Sequence, residues 1–192
     1  MAKKYEFKPD KAPSSLLSRL YLTRKQRRSI LKWVLYALVL LFLSVVQDVL
    51  LVRFRLWGAT TELVPIGIFL ICVIEGVERG CIFALISSCL YLFSGSAAGT
   101  YSIVFITVLA VLVTILRQAY LQKGFAPAML CTVVAMAVYE VCVFAIGLFL
   151  GLTTAGRFGG FAVTTGLSLL AAPVLYPVTL AIGKIGGEEW KD

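Results

Sequence analysis

The stretch "LVPIGIFLICVIEGVERGCIFALISSCLYLF", residues 63–93, sets two apolar runs on either side of the charged turn Glu75-Gly76-Val77-Glu78-Arg79-Gly80. A bilayer core of about 30 Å needs roughly 20 residues of helix, so each run is short for a full span. Three charges in six residues do not rest in hydrocarbon, so the pair reads as an antiparallel helical hairpin rather than one long span. Outward from the hairpin, four more apolar runs cover 32–52, 101–116, 125–150 and 161–182 and bring the count to six with 63–74 and 81–93. No run alternates apolar and polar residues as a membrane barrel requires, so all six are expected to be helices.

Composition points the same way. At 60% hydrophobic and 15% charged residues, with a mean hydropathy of +0.94, the chain lies outside the range of soluble globular domains. The expectation is an all-α integral membrane protein, a six-transmembrane-helix bundle over 32–183, flanked by a basic tail at 1–31 and a short tail at 184–192. No room remains for a soluble domain. The chain has neither His nor Asn, which removes histidine base catalysis, imidazole metal sites and N-glycosylation acceptors. Phosphate-binding glycine loops and nucleophile elbows are missing as well. Cys72, Cys81, Cys89, Cys131 and Cys142 are scattered without C-x-x-C spacing and read as small hydrophobes. These features argue for a chain that is not an enzyme and carries no cofactor or metal.

With six spans, fifteen of the eighteen lysines and arginines fall on one side, and Arg53, Arg55 and Arg157 on the other. That asymmetry makes both termini cytoplasmic. The first apolar run is too long for a signal-peptide core and lacks a small-x-small cleavage site, so it is expected to stay uncleaved. The net charge of +8 is concentrated in the first 32 residues, where it serves topology and anionic lipid rather than nucleic acid. Ser14 or Ser15 is placed to cap a short interfacial helix with Leu16, Leu17, Leu20 and Tyr21 on one face; a flexible solvated tail is the alternative.

Two acids lie inside the apolar runs. At about 1.5 Å per residue, Asp48 sits about 24 Å along the first span and Glu140 about 22 Å along the fifth, both toward the outer side. A carboxylate in hydrocarbon is costly, so each is expected to face the bundle, a wet cavity or a partner chain. Met136, Phe144, Gly147 and Gly151 share the face of Glu140, and Gly147-x-x-x-Gly151 suggests a close helix contact. Ser44, Gln47 and Asp48 form a polar stripe, with Arg53 beyond the helix end and within snorkelling reach of either acid. Inter-helix hydrogen bonding or an ion pair is the favoured role for these groups, and a proton or cation relay is the rival. "SGSAAGT" reads as the turn between the third and fourth spans, and Pro173 and Pro177 are expected to kink the last one.

The segments "ELVPIGIFLICVIEG", "YLFSGSAAGTYS", "YEVCVFAIG" and "PVLYPV", spaced through a six-span chain of this size, resemble the MreD family of bacterial rod shape-determining membrane proteins. Leu63 to Pro65 match that family's proline-bearing start of the second span. Ser94, Gly95 and Gly99 match its Ser-Gly turn, and Tyr139-Glu140 an acid-aromatic pair in the fifth span of some members. Two departures stand out: Tyr91 lies where many members carry an Asp, and the basic tail of some thirty residues is longer than usual. The resemblance implies a non-enzymatic, multi-pass scaffold of the bacterial plasma membrane. Its implied partners are the bitopic protein MreC and the elongation machinery of MreB, RodA and a class B penicillin-binding protein, with peptidoglycan synthesis and cell shape as the outcome. It also implies a fold similar to the S components of energy-coupling-factor vitamin importers. Such an importer subunit, with a substrate pocket near Glu140 and Asp48, is the rival function.

Overall fold

The computed structural model describes residues 24–53, 61–121 and 124–185. The expected interfacial helix within 1–23, Arg55, and the residues after Ile185 lie outside the described residues, while 24–31, expected as part of the tail, belong to the first helix. Seven α-helices run through the described chain: α1 Arg24–Val45, α2 Leu63–Glu75, α3 Val77–Phe93, α4 Tyr101–Tyr120, α5 Phe125–Phe149, α6 Phe158–Leu169 and α7 Ala172–Ile185. Among the described residues there is no strand.

The first helix shows how the sequence separates core from exterior. Lys32, Tyr36, Leu40, Leu43 and Gln47 recur at intervals of three and four and are all buried, whereas Leu38, Leu41, Phe42 and Val45 on the other side are more than half exposed. An apolar exterior of this kind suits contact with lipid. After Val45 the chain widens into a π-turn, Val46–Leu50, and then tightens into a 3₁₀ turn, Leu51–Arg53.

Helix α2 is the axis of the molecule. Every residue from Leu63 to Val73 is buried, and α2 packs against each of the other six helices. Thirteen residues make it about 20 Å long, too short to cross a bilayer core alone. It turns into α3 at Gly76, whose φ of 92° suits glycine, and the hairpin then closes at Gly80. A methyl group on Gly80 would lie 3.1 Å from the Cys72 Cα, so the two helices meet there backbone to backbone. The Cys72 thiol reinforces the contact by donating to the Gly80 carbonyl at 3.2 Å. All five cysteines are free.

Three helical stretches are long and apolar enough to cross a membrane, Gln26–Val49, Tyr101–Tyr120 and Phe125–Phe149. A fourth is formed if Ala155–Leu169 and Ala172–Ile185, bent by 43°, count as one broken span. The last run is thus two helices rather than a single kinked one, parted at Leu170 and Ala171. Pro173 lies in the first turn of α7, where its missing N–H costs nothing, and Pro177 lies inside α7 with an exposed ring.

Candidate functional site

Polar side chains gather at both ends of α2. At its carboxyl end the Lys32 ammonium meets the Glu75 carboxylate at 2.5 Å, with both side chains only 2% exposed. The Tyr36 hydroxyl donates to the other Glu75 oxygen at 2.8 Å and lies 3.2 Å from the Thr179 carbonyl, which ties α1, α2 and α7 together. The buried Arg117 guanidinium, from α4, donates to the Val73 carbonyl and so caps the last turn of α2. This end is a satisfied structural lock.

The amino end differs. Glu62 precedes α2 in extended conformation and offers no side-chain cap of its own. Gln47 supplies one from the π-turn that follows α1: its Oε1 accepts from the Leu63 and Val64 N–H groups at 2.8 and 3.1 Å, and its Nε2 donates to the Tyr91 hydroxyl at 3.3 Å. The Glu62 N–H in turn donates to Ser168 Oγ of α6 at 2.8 Å. Of the four backbone positions that a helix leaves open at its start, Glu62, Leu63 and Val64 are thus met by side chains from neighbouring segments, and the fourth is Pro65, which has no N–H. The π-turn holds Gln47 on the core stripe while Asp48, beside it, accepts from Ser44 at 3.2 Å and from Ser96.

Between these groups lies a cavity of about 270 Å³ lined by Gln47, Asp48, Thr61 and Glu62 on one side and Ser94, Gly95 and Ser96 on the other. Tyr91, Tyr139 and Glu140 stand close to Glu62, with Ser102 beside Tyr139. Tyr139 is fully buried, with its ring edge against Phe69, and Glu140 is 3% exposed. Glu140 Oε1 is buried without a hydrogen-bond partner among the described residues, while the Tyr139 hydroxyl and Ser102 face one another and the Tyr91 hydroxyl stands beside Glu62. Of these groups Glu62 lines the cavity, and the others lie outside its lining.

The structure brings the residues picked out by sequence to different places. Gln47 and Asp48 line the cavity, and Glu140 lies behind it on a protein-facing side of α5. Arg53 is exposed, and a buried ion pair forms instead between Glu75 and Lys32. The Gly147-x-x-x-Gly151 strip needs correcting as a helix contact. Leu152 N–H donates to the Gly147 carbonyl at 2.8 Å and Gly151 N–H to Leu148 at 3.1 Å, with Gly151 at φ 71°, so the two glycines close α5 as a Schellman turn. A methyl on Gly147 would meet Thr153 of that same turn, and one on Gly151 would meet open space.

Glu62 and Ser102 escaped the sequence reading, as did the Lys32–Glu75 lock. Glu62 directly precedes an apolar run, Ser102 lies at the start of another and Lys32 stands among many bases, so none is conspicuous in the sequence; the signal present is the i, i+4 pair Lys32 and Tyr36 facing a hairpin acid. Comparison of the chain with protein-family models, with curated proteins and with solved structures returns no match.

Proposed function

We propose that this chain is a non-enzymatic membrane scaffold of the MreD type. In this reading it sits in the bacterial plasma membrane as a six-span bundle with cytoplasmic termini, binds an MreC-like bitopic protein and supports peptidoglycan synthesis by the elongation machinery. The six spans are α1 to α5 and the broken pair α6–α7, with α2 kept from lipid by its neighbours. The Lys32 end then faces the cytoplasm and the Asp48 end faces outward.

The observation that carries the reading is an open strip of small residues on α6. Gly159, Ala162 and Gly166, spaced by three and four, lie on one exposed side, and methyl groups added at either glycine would touch nothing within 4 Å. A strip of this kind lets a second membrane helix approach backbone to backbone. Native-membrane pull-down tests the reading. Recovery of an MreC-like protein together with the RodA-type synthase is expected, and recovery of an ATPase module with a bound vitamin would overturn it. That second outcome belongs to the importer-subunit reading, which the cavity of about 270 Å³ beside Asp48 favours.

A further inference from the structure

The two halves of the broken last span are held to different degrees. Helix α7 is fastened from several sides. The Tyr36 hydroxyl lies 3.2 Å from the Thr179 carbonyl, and the Phe125 and Tyr176 rings meet edge-on at 5.0 Å. Gly183 sits so close to α1 and α2 that an added methyl would meet Tyr36 at 3.1 Å and Ile74 at 3.3 Å. Helix α6, by contrast, buries only Thr164 and Ser168 among its twelve residues. Methyl groups added at Gly159, Gly160 and Gly166 would touch nothing within 4 Å. Its contacts with the bundle include the Phe144 ring of α5, which meets Phe158 and Phe161 edge-on at 5.3 and 5.1 Å. Ser168 Oγ adds a single polar tie by accepting from the Glu62 N–H at 2.8 Å.

Between the halves the backbone ladder is interrupted at one residue. Ala171 N–H donates to the Ser168 carbonyl at 3.0 Å, and the Ala171 carbonyl accepts from Val174 and Leu175 at 3.1 and 3.0 Å. Pro173 has no N–H to return to the Leu169 carbonyl. The bend there is 43°. Hinges are built in this way, from a few residues at element ends that absorb the change in backbone angles while the flanking elements stay rigid.

We propose that α6 is a hinged arm that turns about Ala171 and is latched by Ser168. In the latched position, the one described above, Ser168 caps the start of α2. In the released position α6 rolls along Phe144 and the Glu62 N–H is freed. The latch joins two places, because Glu62 gives its N–H to α6 and its side chain to the wall of the cavity beside Asp48. The position of the arm therefore sets one wall of that cavity. A helix seated on Gly159, Ala162 and Gly166 biases the arm toward whichever position it binds better. That last link rests on the scaffold reading; the hinge itself does not.

Double electron–electron resonance on the full chain in lipid nanodiscs tests the hinge. Nitroxides carried by a genetically encoded keto amino acid at Ala162 of α6 and Leu90 of α3, both exposed, leave the five free cysteines in place. The pair Val178 and Leu90 reports on α7 instead, from another exposed position. Two distance populations are expected for the α6 pair and one for the α7 pair. Ser168→Ala removes the latch and is expected to raise the ratio of released to latched arms about fivefold, the worth of one hydrogen bond. A ratio that Ser168→Ala leaves unchanged overturns the proposal, as does equal broadening of both pairs, which would mean that the whole bundle loosens. If Ser168→Ala misfolds, the wild-type chain decides: a single narrow population for the α6 pair overturns the hinge, and two populations beside a narrow α7 pair support it. A shift of the ratio on adding an MreC-like partner supports the link to the strip. A pull-down that returns no such partner removes that link alone, because the distances are measured on the isolated chain.

Discussion

Gln47 shows how much one side chain can fasten in an apolar bundle. Its amide joins the π-turn after α1 to the first turn of α2 and to Tyr91 of α3, so Gln47→Leu strands two helix N–H groups. Leaving such donors open in a buried site costs about 1–3 kcal/mol, and the loss is expected as a lower melting temperature in detergent with no change in helix content by circular dichroism. At the other end of α2, Lys32→Met leaves Glu75 buried without its cation. Removing one partner of a buried pair typically costs about 3–5 kcal/mol, whereas replacing both by apolar groups is often neutral. Lys32→Met is therefore expected to be destabilised far more than Lys32→Met/Glu75→Leu, and a double-mutant cycle on thermal stability measures the difference. Sequence exposed Gln47 and Asp48 because polar residues are conspicuous in an apolar helix. It hid Glu62 and Lys32 because both flank apolar runs, where charge is ordinary, and only the packing of α2 below both helix ends draws them inside.

At the level of elements, the apolar runs were legible and their ends were not. The hairpin at Gly76 follows from three charges in six residues, and it stands where the sequence put it. Gly147 and Gly151 were misread because four-residue spacing serves two purposes. In mid-helix it clears a face for a neighbour, and at a helix end it supplies the carbonyl and the left-handed residue of a Schellman turn. The two glycine uses predict different costs. Gly80→Ala presses a methyl against the Cys72 backbone, which cannot move aside as a flexible side chain would, and is expected to weaken the α2–α3 hairpin. Gly151→Ala meets no steric obstacle but must hold a positive φ, at a cost of about 1 kcal/mol. Thermal stability in one detergent, with Gly156→Ala as a reference whose methyl meets open space, ranks the three. The break in the last run was signalled by Pro173 and Pro177, and it falls at Leu170 and Ala171, in the turn just before Pro173 where that ring displaces a continuing helix.

For the whole molecule, the outer surface of α6 and the interior around α2 make separable demands. Gly159→Leu and Gly166→Leu add bulk to open space and are expected to leave melting temperature unchanged while lowering recovery of an MreC-like partner by about tenfold, a loss near 1.4 kcal/mol. A fall in both quantities together would place these glycines in the fold instead. The spread of functions was legible only coarsely, because composition announces a membrane bundle while the identity of its partners rests on surfaces that sequence does not display. The buried position of α2 also bears on how the chain is made. Residues that finish α2 come from α1 and the turn after it on one side of it in the chain and from α6 on the other, through Gln47 and Ser168 at one end and Lys32 at the other. A ribosome has therefore delivered α2 to the membrane roughly a hundred residues before Ser168 emerges. Until then α2, at thirteen residues, has neither the length to span lipid nor its full set of caps, so biogenesis must hold it in a provisional lodging, against α3 or an insertion factor. A nascent chain released at residue 150 is accordingly the length at which membrane quality control should find this protein, and pulse-chase of that truncation against the full chain measures it.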